Sequence, residues 1–324
     1  MTLKTAVQPK EAKEAKDFEG VTQAQALTCR VNGGCLRTSF LSPLFVSFGH
    51  STAGLTMVRL SLLAFAPLLL SLTLAQTPEG LLFHASFDNG ANAHLAKGDP
   101  QLYSSPSYKQ QDKAAPGLAA APKVKLDADA GRRGSGALRF TGKNENAVFF
   151  RAAKNVNFQA GTISFWLCLN PDKDLAPDYC DPFQLTDKAY NDSAIWVDFT
   201  KDEKPRHFRL GVFGVLKSWQ ASNLGPNKEA AFENRLVVVQ KPPFAGEHWT
   251  HIAITHQALG TPEGKAALYV NGSLIGNSPA LTEPFAWDPQ QTTLRLGINY
   301  IGLFDDLMVF NRPLSASEIQ ALSR

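Results

Sequence analysis

The chain has 324 residues, 44% of them apolar and 19% charged, with 24 glycines and 20 prolines, a profile that excludes disorder, collagen and coiled coil. Its formal net charge of +3 arises entirely in the first 75 residues, where six bases face four acids up to residue 56 and Arg59 adds one more. The remainder carries 25 bases and 25 acids, so nothing in its balance points to a nucleic-acid partner.

Residues 1–56 are polar and lack an apolar period, which predicts an unstructured leader upstream of a true start at Met57. Gly49-His50-Ser51-Thr52-Ala53 has the outline of a hydrolase nucleophile elbow. No strand pattern precedes it and no helix pattern follows, so the context that motif requires is missing. From Met57 the chain shows one Arg, an apolar run from Leu60 to Leu72, and the small residues Thr73 and Ala75 before Gln76. These are the three regions of a secretory signal peptide, here residues 57–75. The run is broken by Ser61, Pro67 and Ser71 and falls short of the roughly 20 apolar residues of a spanning helix. An uncleaved anchor is the alternative, and a membrane is a partner only in that case. Export places the protein outside the cell, at the cell surface or in the periplasm.

Residues 76–324 are expected to form one domain, with an irregular Pro- and Ala-rich insertion at about 97–133. The rest consists of short apolar or alternating runs broken by turn residues, the pattern of strands. About a dozen are expected between Leu81–Phe87 and Leu303–Phe310, among them Thr162–Leu169, Asp181–Leu185, Ala194–Phe199, His207–Phe213 and His248–His256. Asn271-Gly272 between alternating runs predicts a type I′ hairpin, since both residues tolerate positive φ. Ser315-Ala316-Ser317-Glu318 after Pro313 has the form of a capping box and predicts one short closing helix.

The loop from Pro171 to Ser193 concentrates acids and tyrosines between two strands. Carboxylates and amides bond sugar hydroxyls while aromatic rings stack on apolar sugar faces. Tyr179, Asp181, Asp187, Tyr190 and Asp192, with Asp198 on the next strand and Trp219 beyond it, are therefore the candidate ligand-binding residues; Trp196 and Trp287 are further candidate platforms. The alternative is that Trp166 and Trp196 are core residues and the acids keep the loop soluble. Cys168 and Cys180 are the only cysteines after the signal. In an exported chain they form a candidate disulfide, worth about 3 kcal/mol if the geometry allows, with a buried thiol in a core strand as the alternative. His248, His251 and His256 crowd one strand, but H-x-x-H does not converge on one face there as it does on a helix, which argues against zinc.

The C-terminal stretch from Gly302 through Phe304-Asp305-Asp306 and Asn311-Arg312-Pro313-Leu314-Ser315 to Glu318-Ile319 resembles the closing strand and helix of laminin-G-like domains, within the concanavalin A-like jelly rolls. Gly161-Thr162-Ile163-Ser164-Phe165-Trp166-Leu167, Trp249-Thr250-His251-Ile252-Ala253-Ile254-Thr255 and the run from Gly264 to Gly272 agree with it, in order. The resemblance implies an all-β, two-sheet antiparallel jelly-roll sandwich with a short C-terminal helix. It also implies a tendency to bind glycans or proteins. Catalytic relatives of laminarinase type carry E-x-D-x-x-E along one strand; this chain lacks that pattern. Asp305 and Asp306 are expected either to bond turn amides or to contribute to a calcium site, calcium being the one candidate cofactor. The first expectation is thus a secreted, non-catalytic module for carbohydrate or a glycosylated or extracellular protein partner. A structural surface or assembly protein is the second, and a glycoside hydrolase or polysaccharide lyase with a rearranged acidic site the third.

Overall fold

The computed structural model describes residues 78–220 and 230–324. The expected leader and the expected signal peptide, with residues 49–53, lie outside the described residues. Seventeen strands form in chain order. The first seven are β1 (Leu81–Ala85), β2 (Leu95–Ala96), β3 (Tyr103–Ser105), β4 (Ala115–Pro116), β5 (Val124–Asp127), β6 (Ala137–Phe140) and β7 (Ala147–Arg151). Next come β8 (Ala160–Cys168), β9 (Cys180–Thr186), β10 (Ala194–Phe199), β11 (Phe208–Phe213) and β12 (Leu236–Val239). The last five are β13 (Trp249–Gln257), β14 (Lys265–Val270), β15 (Ser273–Asn277), β16 (Thr293–Ile298) and β17 (Gly302–Phe310). The helices are short: α1 (Pro171–Asp174), α2 (Leu216–Trp219), α3 (Ala230–Glu233) and α4 (Ala316–Leu322). Among the described residues no helix is long and apolar enough to cross a membrane.

Two antiparallel sheets pack face to face. One runs β15-β14-β13-β8-β17-β1-β2, with β6 also on β17 and β5 on β6; the other runs β12-β11-β10-β9-β16-β7-β3-β4. Alternation along each strand decides which side chains fill the space between them. Phe165 of β8 stacks on Phe183 of β9 at 5.4 Å and on Phe304 of β17 at 5.1 Å, while Phe83 of β1 meets Phe150 of β7 edge-on at 4.8 Å. These rings are wholly buried among Ile163, Leu185, Ile195, Val197 and Leu296. Each such side chain contributes roughly 1.5–3 kcal/mol by leaving water.

The insertion at 97–133 is not merely irregular. It supplies β3 and β4 to one sheet, β5 to the other, and a 3-10 turn over Tyr108–Lys113. Its strands are two to four residues long and take their order from neighbours such as β7, against which Tyr103 lies opposite Phe149. That leaves almost no local alternation to read. The expected hairpin forms at Asn271 and Gly272, with φ of 49° and 77°. The closing helix has its capping box: Ser315 Oγ accepts from the Glu318 amide at 3.3 Å, and Glu318 Oε2 accepts from the Ser315 amide at 2.8 Å.

The disulfide expectation is corrected. Cys168 and Cys180 are buried thiols that are not bridged. Cys168 ends β8 and packs on the outer face of its sheet with Ala137, Leu303 and Trp249, its Sγ 3.3 Å from the Gly246 carbonyl. Cys180 opens β9 in the opposite sheet and faces the interior. Sequence spacing brings the two close along the chain, but the sandwich assigns them to different layers.

Candidate functional site

The side of the β9–β10–β11 sheet turned away from the core carries a cavity of about 270 Å³, lined by residues that include Asp181, Gln184, Trp196, Asp198 and Arg209. Alternation explains most of this placement. On β10, Ile195, Val197 and Phe199 enter the core, so Trp196 and Asp198 emerge on the other side; on β11, Phe208, Leu210 and Val212 enter it, so Arg209 and Gly211 emerge. Asp198 and Arg209 are cross-strand partners, as are Trp196 and Gly211. A Cβ on Gly211 would stand 2.2 Å from the Trp196 ring, so the indole can lie across β11 only because that residue is glycine.

Asp181 reaches the cavity by a different route. Strict alternation from Phe183 and Leu185 would point it into the core. The β9–β10 register instead slips by one residue, from Val197 opposite Phe183 to Phe199 opposite Cys180. This β-bulge turns Cys180 inward and Asp181 outward, a device by which strands re-aim a functional side chain. Gln184 Nε2 then donates to Asp181 Oδ2.

The electrostatics of the floor follow from burial. Burial, then the nearby Asp198 charge, pushes the Asp181 carboxyl up to about 8, against the opposing pull of Gln184 and Arg209. Burial also raises Asp198, but the Arg209 hydrogen bond and charge work against it. Arg209 donates from Nε to Asp198 Oδ1 at 2.8 Å and from Nη2 to Oδ2 at 2.5 Å. Burial works to strip the Arg209 proton, and the Asp198 contact overcomes it, leaving the guanidinium above its ordinary value. This is a buried, bidentate ion pair. The guanidinium also lies 5.2 Å from the Tyr179 ring centre and 5.8 Å from that of Trp196.

Of the residues expected from the sequence, Tyr179, Asp181, Tyr190 and Asp198 meet around this cavity, together with Asp178 and Trp196. Three others lie elsewhere. Asp187 accepts from the Asp288 amide and Asp192 from the Leu216 amide, so both tie loops together. Trp219 is 5% exposed, packs in an aromatic cluster with Trp196, Phe213 and Phe232, and donates its indole N–H to Asn191 O. Sequence reading missed Gln184, Arg209, Phe232, Ile298 and Asn299. For Arg209 a signal exists: it alternates with Phe208 and Leu210 in a strand that follows the one bearing Asp198.

The other candidates resolve into framework. Burial lowers His251 and His256 to about 4; the first lies 2.8 Å from Ser164 Oγ and the second 3.1 Å from Asn157 O. His248 falls before β13, in a bridge with Ala245. Asp305 accepts from the Arg132 and Asp306 amides at 2.9 and 2.7 Å, and Asp306 lies 3.1 Å from His84. Among the described residues no group of three His, Cys, Asp or Glu side chains is arranged to hold a metal ion.

The family Laminin_G_3, described as the concanavalin A-like lectin/glucanases superfamily, matches residues 141–320. That span contains every segment that carried the resemblance. No curated protein matches. Among solved structures, domain 4 of AbnA, an extracellular arabinanase from Geobacillus stearothermophilus in complex with arabinotriose, is 16% identical, with a TM-score of 0.48 over 75% of this chain and 98% of that one. The receptor binding domain of the botulinum neurotoxin C/D mosaic serotype is 10% identical, with a TM-score of 0.50 over 75% and 51% of the two chains. Trypanosoma rangeli sialidase is 12% identical, with a TM-score of 0.45 over 75% and 32%. The chain thus spans about half of the neurotoxin domain and a third of the sialidase, and at these identities the likeness is one of fold.

Proposed function

The chain belongs to the concanavalin A-like lectin/glucanases superfamily, and we propose that it is a secreted, non-catalytic module that binds carbohydrate, alone or on a glycosylated partner, in the cavity above β9, β10 and β11. One observation carries this reading: a polar floor of Asp181, Gln184 and the Asp198–Arg209 pair set among the rings of Tyr179, Tyr190, Trp196 and Phe232. Sugars need both halves of that arrangement. Their hydroxyls donate and accept, matching an acid, an amide and a paired carboxylate, while their C–H faces pack on rings.

A second reading, glycoside hydrolysis, draws on the same two carboxyls, since one raised by burial beside one held by an arginine resembles the acid and carboxylate pair such chemistry uses. The ion pair weighs against it, because both Asp198 oxygens already accept from Arg209.

A glycan array probed with the whole chain, with and without calcium, tests the proposal. Binding to a defined set of glycans is expected, and background signal on every glycan would sink it. Release of reducing ends from a polysaccharide panel, abolished by Asp181→Asn or Asp198→Asn, would move the assignment to a hydrolase.

A further inference from the structure

We infer that the cavity selects an uncharged sugar unit and rejects one that carries a carboxylate, because Asp198 already neutralises the one cation among its described lining residues. The inference rests on the glycan-binding reading and narrows it.

Arg209 is the only cation among the described residues that line the cavity. A guanidinium captures a carboxylate by presenting two parallel N–H groups along one edge. Here the edge made by Nε and Nη2 is already spent on the two Asp198 oxygens. The planar faces have neighbours too, since the rings of Tyr179 and Trp196 both lie within 6 Å of the guanidinium carbon. The Nη1 donors are not part of that pair, but the charge behind them is already neutralised by Asp198.

The other ionisable groups of the lining are acids. Asp178 stands at the exposed rim, where Lys143 pairs with it at 2.9 Å. Asp181 lies on the floor and shares its Oδ2 with Gln184. Outside the lining, Lys201 sits 5.7 Å from the Tyr179 ring centre and pairs with Asp202 at 3.5 Å. A uronate or sialate carboxylate would enter a site with three carboxyl groups and, among the described lining residues, no positive charge without a counter-charge. Burial would strip its water without supplying a partner. A neutral sugar meets Gln184, Asp181 and Asn299, whose donors and acceptors suit hydroxyls in either direction. The volume agrees with a single ring, because about 270 Å³ lies at the small end of ligand pockets, roughly 300–1,000 Å³.

The test uses the whole chain on an array of paired oligosaccharides that end in glucose or glucuronate, galactose or galacturonate, mannose or mannuronate, together with lactose and sialyllactose. In every pair that binds, the neutral member is expected to bind about tenfold tighter or more. An acidic member that binds as tightly as its neutral partner overturns the inference and leaves the glycan-binding reading intact. Binding to no member of any pair overturns both. The Asp198→Asn variant adds a second arm. It releases the Arg209 edge from its counter-charge, so the ratio of acidic to neutral affinity is expected to rise by about fivefold or more. An unchanged ratio in a folded variant contradicts the assigned cause. If that variant does not fold, the paired array on the wild-type chain decides alone.

Discussion

Asp181 and Asp305 are carboxyls that burial raises, to about 8 and about 7, far above an exposed aspartate. A carboxyl raised in the folded state imposes no penalty below its unfolded value near 3.8; as pH rises towards the folded value, the unfolded chain ionises and gains what the native one cannot. His251 and His256, lowered to about 4, act in the opposite sense, because the unfolded chain binds their protons as pH falls below about 6.5. Above pH 6.5 the opposing histidine effect fades, and by about pH 7.5 only the carboxyls remain of these four groups. The melting temperature is therefore expected to fall between pH 6.5 and 8, with a limiting slope of about 1.4 kcal/mol per pH unit for each group. Asp181→Asn, which keeps the shape and removes the ionisation, should flatten that fall. Equal slopes for variant and wild type in thermal unfolding would show that Asp181 is ionised in the native cavity. These burial effects were not legible in the sequence, where Asp181 was one of six acids in a loop.

At the level of single elements, what could be read was what the chain decides locally. Asn271-Gly272 makes its turn from two adjacent residues, and Ser315 and Glu318 cap α4 across one turn of chain. Ser315→Ala should cost about 1 kcal/mol, measured by denaturant unfolding, and a shift within error would show that the Pro313–Leu314 corner fixes α4 without its cap. The Arg312 hydrogen bond, then those of Ser315, hold the Glu318 carboxyl down at about 2. That contribution is present above the unfolded value near 4.5 and is lost as pH falls towards 2. It is small, because the pair is solvated. The bulge in β9 and the strands inside 97–133 stayed illegible for one reason. Each exists because of a partner strand elsewhere: the bulge because β10 pairs out of step, and β3 because β7, some forty residues on, accepts it. The Pro171–Ser193 loop is a mixed case. Its residues were found, but their division into cavity lining and loop ties depends on which amides lie opposite, and Asp187 and Asp192 meet theirs from residues 288 and 216.

For the whole molecule, the sandwich was legible because alternation recurs in strand after strand and the segments from 161 to 319 keep the order of the family. The cavity was only half legible, since it needs β9, β10 and β11 side by side and residues near 232 and 299 brought over them. The eight-residue connection between β10 and β11 does not fix a register as a two-residue hairpin would, so Asp198 could not be set opposite Arg209 before the fold was known. Export remains a matter of residues 57–75. N-terminal sequencing of the mature protein is expected to start at Gln76, and a mature chain that retains residues 57–75 would contradict the signal-peptide reading. The claim on which the account rests is that sugar sits on the polar floor beside Tyr179. Calorimetric titration of the best-bound array oligosaccharide into wild type, Tyr179→Ala and Gln184→Ala tests it most directly. Each variant is predicted to bind about tenfold more weakly or worse while melting as a folded protein, from the lost ring contact in one case and the lost amide in the other. Wild-type affinity in both folded variants would place the sugar elsewhere on the sandwich and contradict the account.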